Sequence, residues 1–402
     1  MKRCLIFGLF FCVFTASAQL KWWGIFDFEI RKGGKDSDLE KNGLENGNIQ
    51  LNLQQLHLFL DADLGSNITF TAKLANNPVK GFEVRDIELQ MAYVTFSNLI
   101  GDALSISAGR ILTPFGTFAK RQLPSENPFI GQPLFFSYTQ NVSSLTGYLP
   151  QKTYPDSTEY GSRLTTMYCG GYYTGIDAAG SFFNNALEYD FACMNAPLSA
   201  KNGDYNVDKG LAFHGRVAFH PAIWSTIGVS YAVGSFMESS YKSFEQEYTA
   251  ANNFNQSTYG VDLLLSYLYF EVNAEYIMNR FDAPYIIYIA SDSTYDNGYA
   301  SGSGLTRPLE SQEYLIDAKL EAPFYPGLYL AVRYDALTFN DILDTHGSLS
   351  AWDRNVVRSA VGLGYKPDRN VLIKLGYERT SIDTRPTPDL DIWECAIVVT
   401  LQ

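Results

Sequence analysis

The side chains best able to do chemistry in this sequence are few, and their spacing does not suit it. There are four histidines, His57, His214, His220 and His346. A hydrolytic centre would need one of them beside a serine, asparagine or aspartate. His214 and His220 share a strand face only if no bulge intervenes, and Pro221 marks His220 as a turn residue. Cys4 and Cys12 lie in the apolar N-terminal stretch, while Cys169, Cys193 and Cys395 form neither a C-x-x-C pair nor a disulfide framework. They read as small apolar residues, buried or facing lipid. No P-loop and no G-x-G-x-x-G is present. The expectation is a protein that is not an enzyme, with no metal centre and no cofactor.

Ionisable residues at alternate positions recur instead. Over 328–338, Tyr329, Ala331, Arg333 and Asp335 share one face and Leu328, Leu330, Val332 and Tyr334 the other. Over 370–381, Lys374, Gly376 and Glu378 oppose Val371, Ile373, Leu375 and Tyr377. Over 312–322, Asp317, Lys319 and Glu321 oppose Tyr314, Ile316, Ala318 and Leu320, and over 68–78 Thr69, Thr71 and Lys73 oppose Ile68, Phe70, Ala72 and Leu74. The same parity over 85–97 sets Glu88, Gln90 and Ala92 against Ile87, Leu89, Met91 and Tyr93. Alternation of period two is the signature of strands with one polar and one apolar face. A soluble sheet turns the apolar face inward, whereas a wide membrane barrel reverses this, with lipid outside and a polar lumen.

Several features favour the barrel. Met1-Lys2-Arg3, the apolar run Cys4 to Thr15 and Ala16-Ser17-Ala18 form a secretory signal over 1–18, so that the mature chain is expected to begin at Gln19. Sixteen strands are predicted, from 22–31 to 390–401, with the sixth over 162–176. Connections after even-numbered strands are short, such as Leu64 to Asn67, Pro221 to Trp224 and Phe324 to Gly327. Those after odd-numbered strands are mostly long, including 32–48, 112–161, 281–311 and 339–354. Short turns on one side and long loops on the other is the asymmetry of an outer-membrane barrel, and pairing of the first strand with the last would leave no open edge in lipid. The fold expected is therefore all-β, a transmembrane antiparallel barrel over 19–402 in the outer membrane. Aromatic residues make up 15% of the chain, and Trp22, Trp23, Phe96, Tyr267, Phe270, Tyr365 and Trp393 fall toward strand ends as an interfacial girdle would.

The third long loop, 112–161, carries Phe115, Phe118, Phe129, Ile130, Leu134, Phe135 and Phe136. So much apolar surface must pack against something, either the inner wall of the barrel or a cap above it. Pro114 ends ladder pairing at the rim and Gly116 permits a sharp entry. The strand count, the turn asymmetry and this dominant third loop resemble the general sixteen-stranded porins of Gram-negative outer membranes. Gly109-Arg-Ile-Leu-Thr-Pro-Phe-Gly116 also resembles a strand-end motif of the phosphate-selective porin group. The resemblance implies a water-filled diffusion channel for ions and small hydrophilic solutes, a third loop folded inward to narrow it and, by analogy, a homotrimer.

On that reading Lys120, Arg121 and Glu126 are the candidates for the constriction. Strand parity nominates Lys73, Glu88, Arg163, Arg216, Lys319, Arg333, Asp335, Arg358 and Lys374 for the pore wall, with Asp262, Glu271, Glu275, Asp317 and Glu394 as further acidic groups. No excess of Lys and Arg marks a ladder for phosphate. Taking Lys2 and Arg3 from the 30 basic residues leaves 28 against 43 acidic ones, a balance that argues against nucleic acid as a partner. The competing reading is a barrel that transports nothing, an adhesin or structural component whose long loops bind a partner.

Overall fold

The computed structural model describes residues 19–33, 49–76, 87–144, 147–148, 163–168, 171–201, 210–237, 242–243, 246–247, 254–288, 299–343, 349–383 and 390–401. The expected signal segment, His346 and Cys169 lie outside them. Sixteen antiparallel strands close into one barrel. They are β1 Gln19–Gly33, β2 Ile49–Gly65, β3 Ile68–Asn76, β4 Ile87–Phe96, β5 Ser105–Leu112, β6 Tyr172–Phe182, β7 Leu187–Met194 and β8 Ala212–Ala222. The second half comprises β9 Ser225–Ser235, β10 Asn255–Tyr267, β11 Phe270–Tyr288, β12 Tyr299–Glu321, β13 Leu328–Phe339, β14 Val356–Asp368, β15 Val371–Ile382 and β16 Leu390–Leu401. Each strand pairs with its sequence neighbours, and β1 meets β16 in register from Gly24 opposite Leu401 to Gly33 opposite Ile392. No edge is left unpaired, which lipid requires of a spanning sheet.

The inversion that distinguishes a membrane barrel is present. Leu330, Val332 and Tyr334 on β13 are 46–48% exposed on the outer face. On the same strand Arg333 and Asp335 are only 3% and 1% exposed, on the inner face. Trp22, Phe96, Phe182, Trp224, Tyr267 and Phe270 project outward near the short-turn ends, and Trp393 projects outward near the opposite ends. Trp23 departs from this girdle: it points inward, stacks on Phe59 at 3.7 Å and donates to Asp61.

Local irregularities explain the other departures from parity. Opposite Lys73 and Leu74 the β3–β4 register shifts, with Lys73 facing Met91 and Leu74 facing Leu89. The bulge leaves Leu89 outward and turns Met91 and Tyr93 inward, against clusters of the inner wall. A second bulge, at Gln54 of β2 opposite Asp27 and Phe28, is closed by Asn76, whose side chain accepts from Leu56 N at 2.7 Å and donates to Gln54 O at 2.9 Å. The sixth strand begins ten residues later than the 162–176 expected, at Tyr172. Phe183, Asn184 and Asn185 all take positive φ in the turn that follows it. Arg163, expected on the wall of that strand, consequently belongs to the third loop, where it bridges Ser143.

The wall is uneven in height. From β4 to β7 the strands have 10, 8, 11 and 8 residues, whereas β11 and β12 have 19 and 23. The described parts of the third loop hang inside the barrel, mainly against the taller side.

Candidate functional site: the third loop and the inner wall

The loop leaves β5 at Thr113 and descends along β9–β11. Gly116 makes the entry with φ of 59°, and a side chain there would strike the Glu275 carboxylate at 2.5 Å. That carboxylate accepts from the backbone N–H of Thr117 at 3.0 Å and of Phe118 at 2.6 Å, while Gly116 N donates to Ser230 Oγ at 3.0 Å. A short 3-10 helix, Phe118–Arg121, then carries Lys120 and Arg121 toward the short-turn mouth. Arg121 pairs with Glu271 at 2.5 Å, and Lys319 reaches the same carboxylate at 3.3 Å.

From there the loop crosses β13–β15 as a run of backbone carbonyls received by buried cations. Lys374 Nζ donates to Pro124 O at 2.6 Å, Asn127 O at 2.7 Å and Phe129 O at 3.0 Å. Arg333 donates to Gly131 O at 3.0 Å while its fork holds Asp317 at 2.7 and 2.8 Å, and Arg358 donates to Gln132 O at 2.9 Å and lies 3.1 Å from Glu378. The one-turn helix Leu134–Ser137 follows, its first N–H donating to Asp335 at 2.7 Å. Above it Asp353 accepts from Tyr138 OH at 3.0 Å and from Asn141 N at 2.7 Å. Burial, and the Asp353 carboxylate beside it, push the Tyr138 hydroxyl well above the ordinary tyrosine range. On the return leg Thr166 donates to Glu313 and receives Gln256 Nε2 at its carbonyl at 2.8 Å.

Apolar contacts fill the spaces between these bonds. Phe115, Phe118, Phe135 and Phe136 pack with Met167, Ile277 and Leu315. Leu134, Tyr138, Val142 and Leu164 join Phe281, Leu309, Leu337 and Trp352 near the long-loop end. Phe129 joins Ile25, Phe59, Tyr329 and Leu372 toward the strand-closing seam. Burial of this kind contributes about 25 cal/mol per Å² of apolar surface, so the aromatic residues hold the loop against the wall.

This arrangement divides the nominated residues. Lys73, Arg333, Asp335, Arg358 and Lys374 were expected to face a pore, and all are buried at 7% exposure or less. All but Lys73 hold the loop directly, while Lys73 donates to Tyr172 OH at 3.1 Å and stands over the Phe59 ring. Parity could place them on the inner face but could not reveal that the loop covers them. Glu88 lies at the long-loop end of β4, opposite Ala75, and is exposed. Lys120 and Glu126 are exposed, and Arg121 and Lys319 retain 17% and 23% side-chain exposure. Arg216, at 10%, pairs with Asp262 at 2.5 Å across Gly228 of the intervening strand, where any side chain would collide with the pair.

Sequence reasoning passed over Asp177, which lies just beyond the 162–176 expected for the sixth strand, and over Asp190 and Glu188, although the strand expected over 186–196 contains both. The register puts Asp190 opposite Arg216 and Ala179, and Asp177 opposite Ala192 and Ser107, all on the inner face. Lys120 lies within Coulombic reach of Asp177. Solvent-accessible ionic groups of both signs therefore collect around the 3-10 helix, between the loop and the low wall of β6–β8.

The described histidines serve the wall. His57 bonds Gln55 at 2.7 Å, His214 bonds Ala196 O at 2.9 Å, and His220 lies 3.0 Å from Thr226 and 3.3 Å from Glu188. Cys193 and Cys395 are half-buried, opposite the outward Phe213 and Leu375.

No family model matches the sequence, and no curated protein matches it. Solved structures do match its shape along nearly the whole chain. An anion-selective porin from Comamonas acidovorans aligns with a TM-score of 0.58 at 11% identity, over 96% of this chain and 100% of that one. OmpF of Salmonella typhi, in a complex with daunomycin, aligns at 0.55 with 12% identity, over 95% and 97%. The outer-membrane channel DcaP of Acinetobacter baumannii aligns at 0.55 with 10% identity, over 96% and 98%. The fold is that of the sixteen-stranded Gram-negative outer-membrane porins.

Proposed function

We propose that the protein is an outer-membrane porin, a channel through which ions and small hydrophilic solutes diffuse past the third loop. A sixteen-stranded barrel is wide enough to hold an aqueous lumen, and the neighbours with this fold include proteins described as a porin and an outer-membrane channel. The observation that carries the reading is the division of the inner wall. Charges under the loop are buried and bonded to it, while those around Lys120 and Arg121 keep their access to water. On this reading the passage runs between the 3-10 helix and β6–β8, with Lys120 on one side and Asp177 on the other, and its ion preference follows from the local charge. Homotrimer assembly, export by the 1–18 signal and absence of enzymatic activity belong to the same proposal.

A second reading, a plugged barrel acting as an adhesin or structural component, draws on the amount of aromatic packing in the lumen. Planar-bilayer recording separates the two. Discrete conductance steps, with a reversal potential in a salt gradient that moves toward cation preference in Lys120→Glu, are expected. A folded barrel that gives no steps would transfer first place to the plugged reading. Steps indifferent to Lys120→Glu would keep the channel and move the passage elsewhere.

A further inference from the structure

At the short-turn mouth, apart from the ionic groups around Lys120, a cavity of about 680 Å³ opens between the tip of the third loop and the strands that close the barrel. Its floor is apolar: the indole of Trp23, Leu123 of the loop, Leu372 of β15 and Val398 of β16. These groups belong to one packed cluster with Phe59 and Phe129, so the floor is rigid, and Trp23 is fixed further by its stack on Phe59 and its bond to Asp61. The rim is cationic. Lys21, Lys366 and Arg369 come from β1, the end of β14 and the following turn, and all three are exposed. Glu126 is the acidic side chain of the lining. The chain as a whole is strongly acidic, with a net charge of −13, which makes this cationic corner a local reversal of the general field.

The geometry points to a binding site for a small organic anion with a flat apolar body, an aryl carboxylate being the simplest member of the class. Pockets of about 300–1,000 Å³ with an apolar lining and a few polar groups suit small organic ligands. Here the apolar body lies on the Trp23 and Leu372 floor, and the carboxylate faces the rim, where Arg369 offers a planar fork that matches it. Electrostatic focusing at a narrow mouth raises the local concentration of such anions. The site goes beyond the conduction proposed above and does not depend on whether the lumen conducts.

Binding is therefore measured on the detergent-solubilised mature barrel, by calorimetry and by quenching of tryptophan fluorescence, with benzoate as probe and inorganic phosphate and cyclohexanol as comparators. Saturable benzoate binding is expected, weakened about tenfold in Lys366→Gln/Arg369→Gln, and with most of the quenching lost in Trp23→Phe. Phosphate and cyclohexanol are each expected to bind more weakly than benzoate. Benzoate binding unchanged in the double variant, or absent from a barrel that retains heat-modifiable migration, would overturn the site. Phosphate binding as tight as benzoate would overturn the apolar half of the assignment, and cyclohexanol binding as tight would overturn the anionic half. Because no ion flow is read, a closed lumen cannot imitate any of these results.

Discussion

Two sectors of the inner wall carry the same kinds of side chain and use them differently. Along β13–β15, Arg333, Arg358 and Lys374 are enclosed by the loop and spend their donors on its carbonyls. Around the 3-10 helix, Lys120, Arg121 and Lys319 stand beside Asp177 and Glu271 with part of each group still reaching water. A charge taken out of water must be repaid by bonds of good geometry. The first sector meets that demand with main-chain carbonyls and carboxylates together. In the second, solvent supplies the remainder. The comparison teaches that an inward charged residue is a structural element where the loop lies on it and a lumen element where the loop does not.

The largest effect should come from breaking the covered sector. In Arg333→Ala the buried Asp317 loses its partner and the loop loses a donor at Gly131. Leaving one member of a buried pair costs about 3–5 kcal/mol. Gel-shift melting of the variant should occur at lower temperature, and its single-channel record should show larger, noisier steps as the loop loosens. Wild-type melting in Arg333→Ala would mean that the aromatic clusters alone secure the loop.

A smaller change is expected at the upper attachment. Asp353→Ala removes an acceptor shared by Tyr138 OH and Asn141 N, and orphaned donors cost about 1–3 kcal/mol. Proteolysis of whole cells or vesicles should then cut within the third loop faster than in the wild type. An unchanged rate would show that Leu134 and Asp335 hold that stretch without help from Asp353.

The strand pattern was legible because period-two alternation survives in most strands, as Leu330 and Arg333 on their opposite faces illustrate. It failed where alternation breaks. The bulge opposite Lys73 reversed Met91 and Tyr93. Including the loop's return leg, 163–168, places β6 too early and leaves Asp177 just outside it. That the loop packs could be argued from its own composition, since seven large apolar residues cannot remain in water, whereas its packing inward instead of as a cap was implied only by the porin resemblance. Which wall residues it would cover could not, because that depends on contacts such as Lys374 with Pro124, formed by residues 250 positions apart.

The Tyr138 attachment adds a pH dependence. A hydroxyl raised in the folded barrel keeps its proton where an unfolded tyrosine, with its ordinary value of 10.0, gives it up. The stability it contributes is therefore complete below the unfolded value and is lost as pH rises from there through the folded one. Tyr138→Phe should cost about 1 kcal/mol near neutrality and should decline less steeply in melting temperature above the ordinary tyrosine value. Parallel alkaline profiles for variant and wild type would remove Tyr138 from the coupling.

The smallest effect on stability should come from the open sector. Lys319 bridges Glu271 and Glu321 at 3.3 Å each while partly exposed, so solvent screens both pairs, and Lys319→Gln should change melting by less than about 1 kcal/mol. Its reversal potential should nevertheless move toward cation preference, because Glu271 then keeps Arg121 alone as its cationic neighbour beside the passage. The two sectors would in that case separate cleanly, Arg333→Ala acting first on stability and Lys319→Gln on selectivity. If Lys319→Gln instead lowered melting as far as Arg333→Ala and left selectivity unchanged, the ionic groups around the 3-10 helix would be structural as well. The distinction drawn from solvent exposure would then fail.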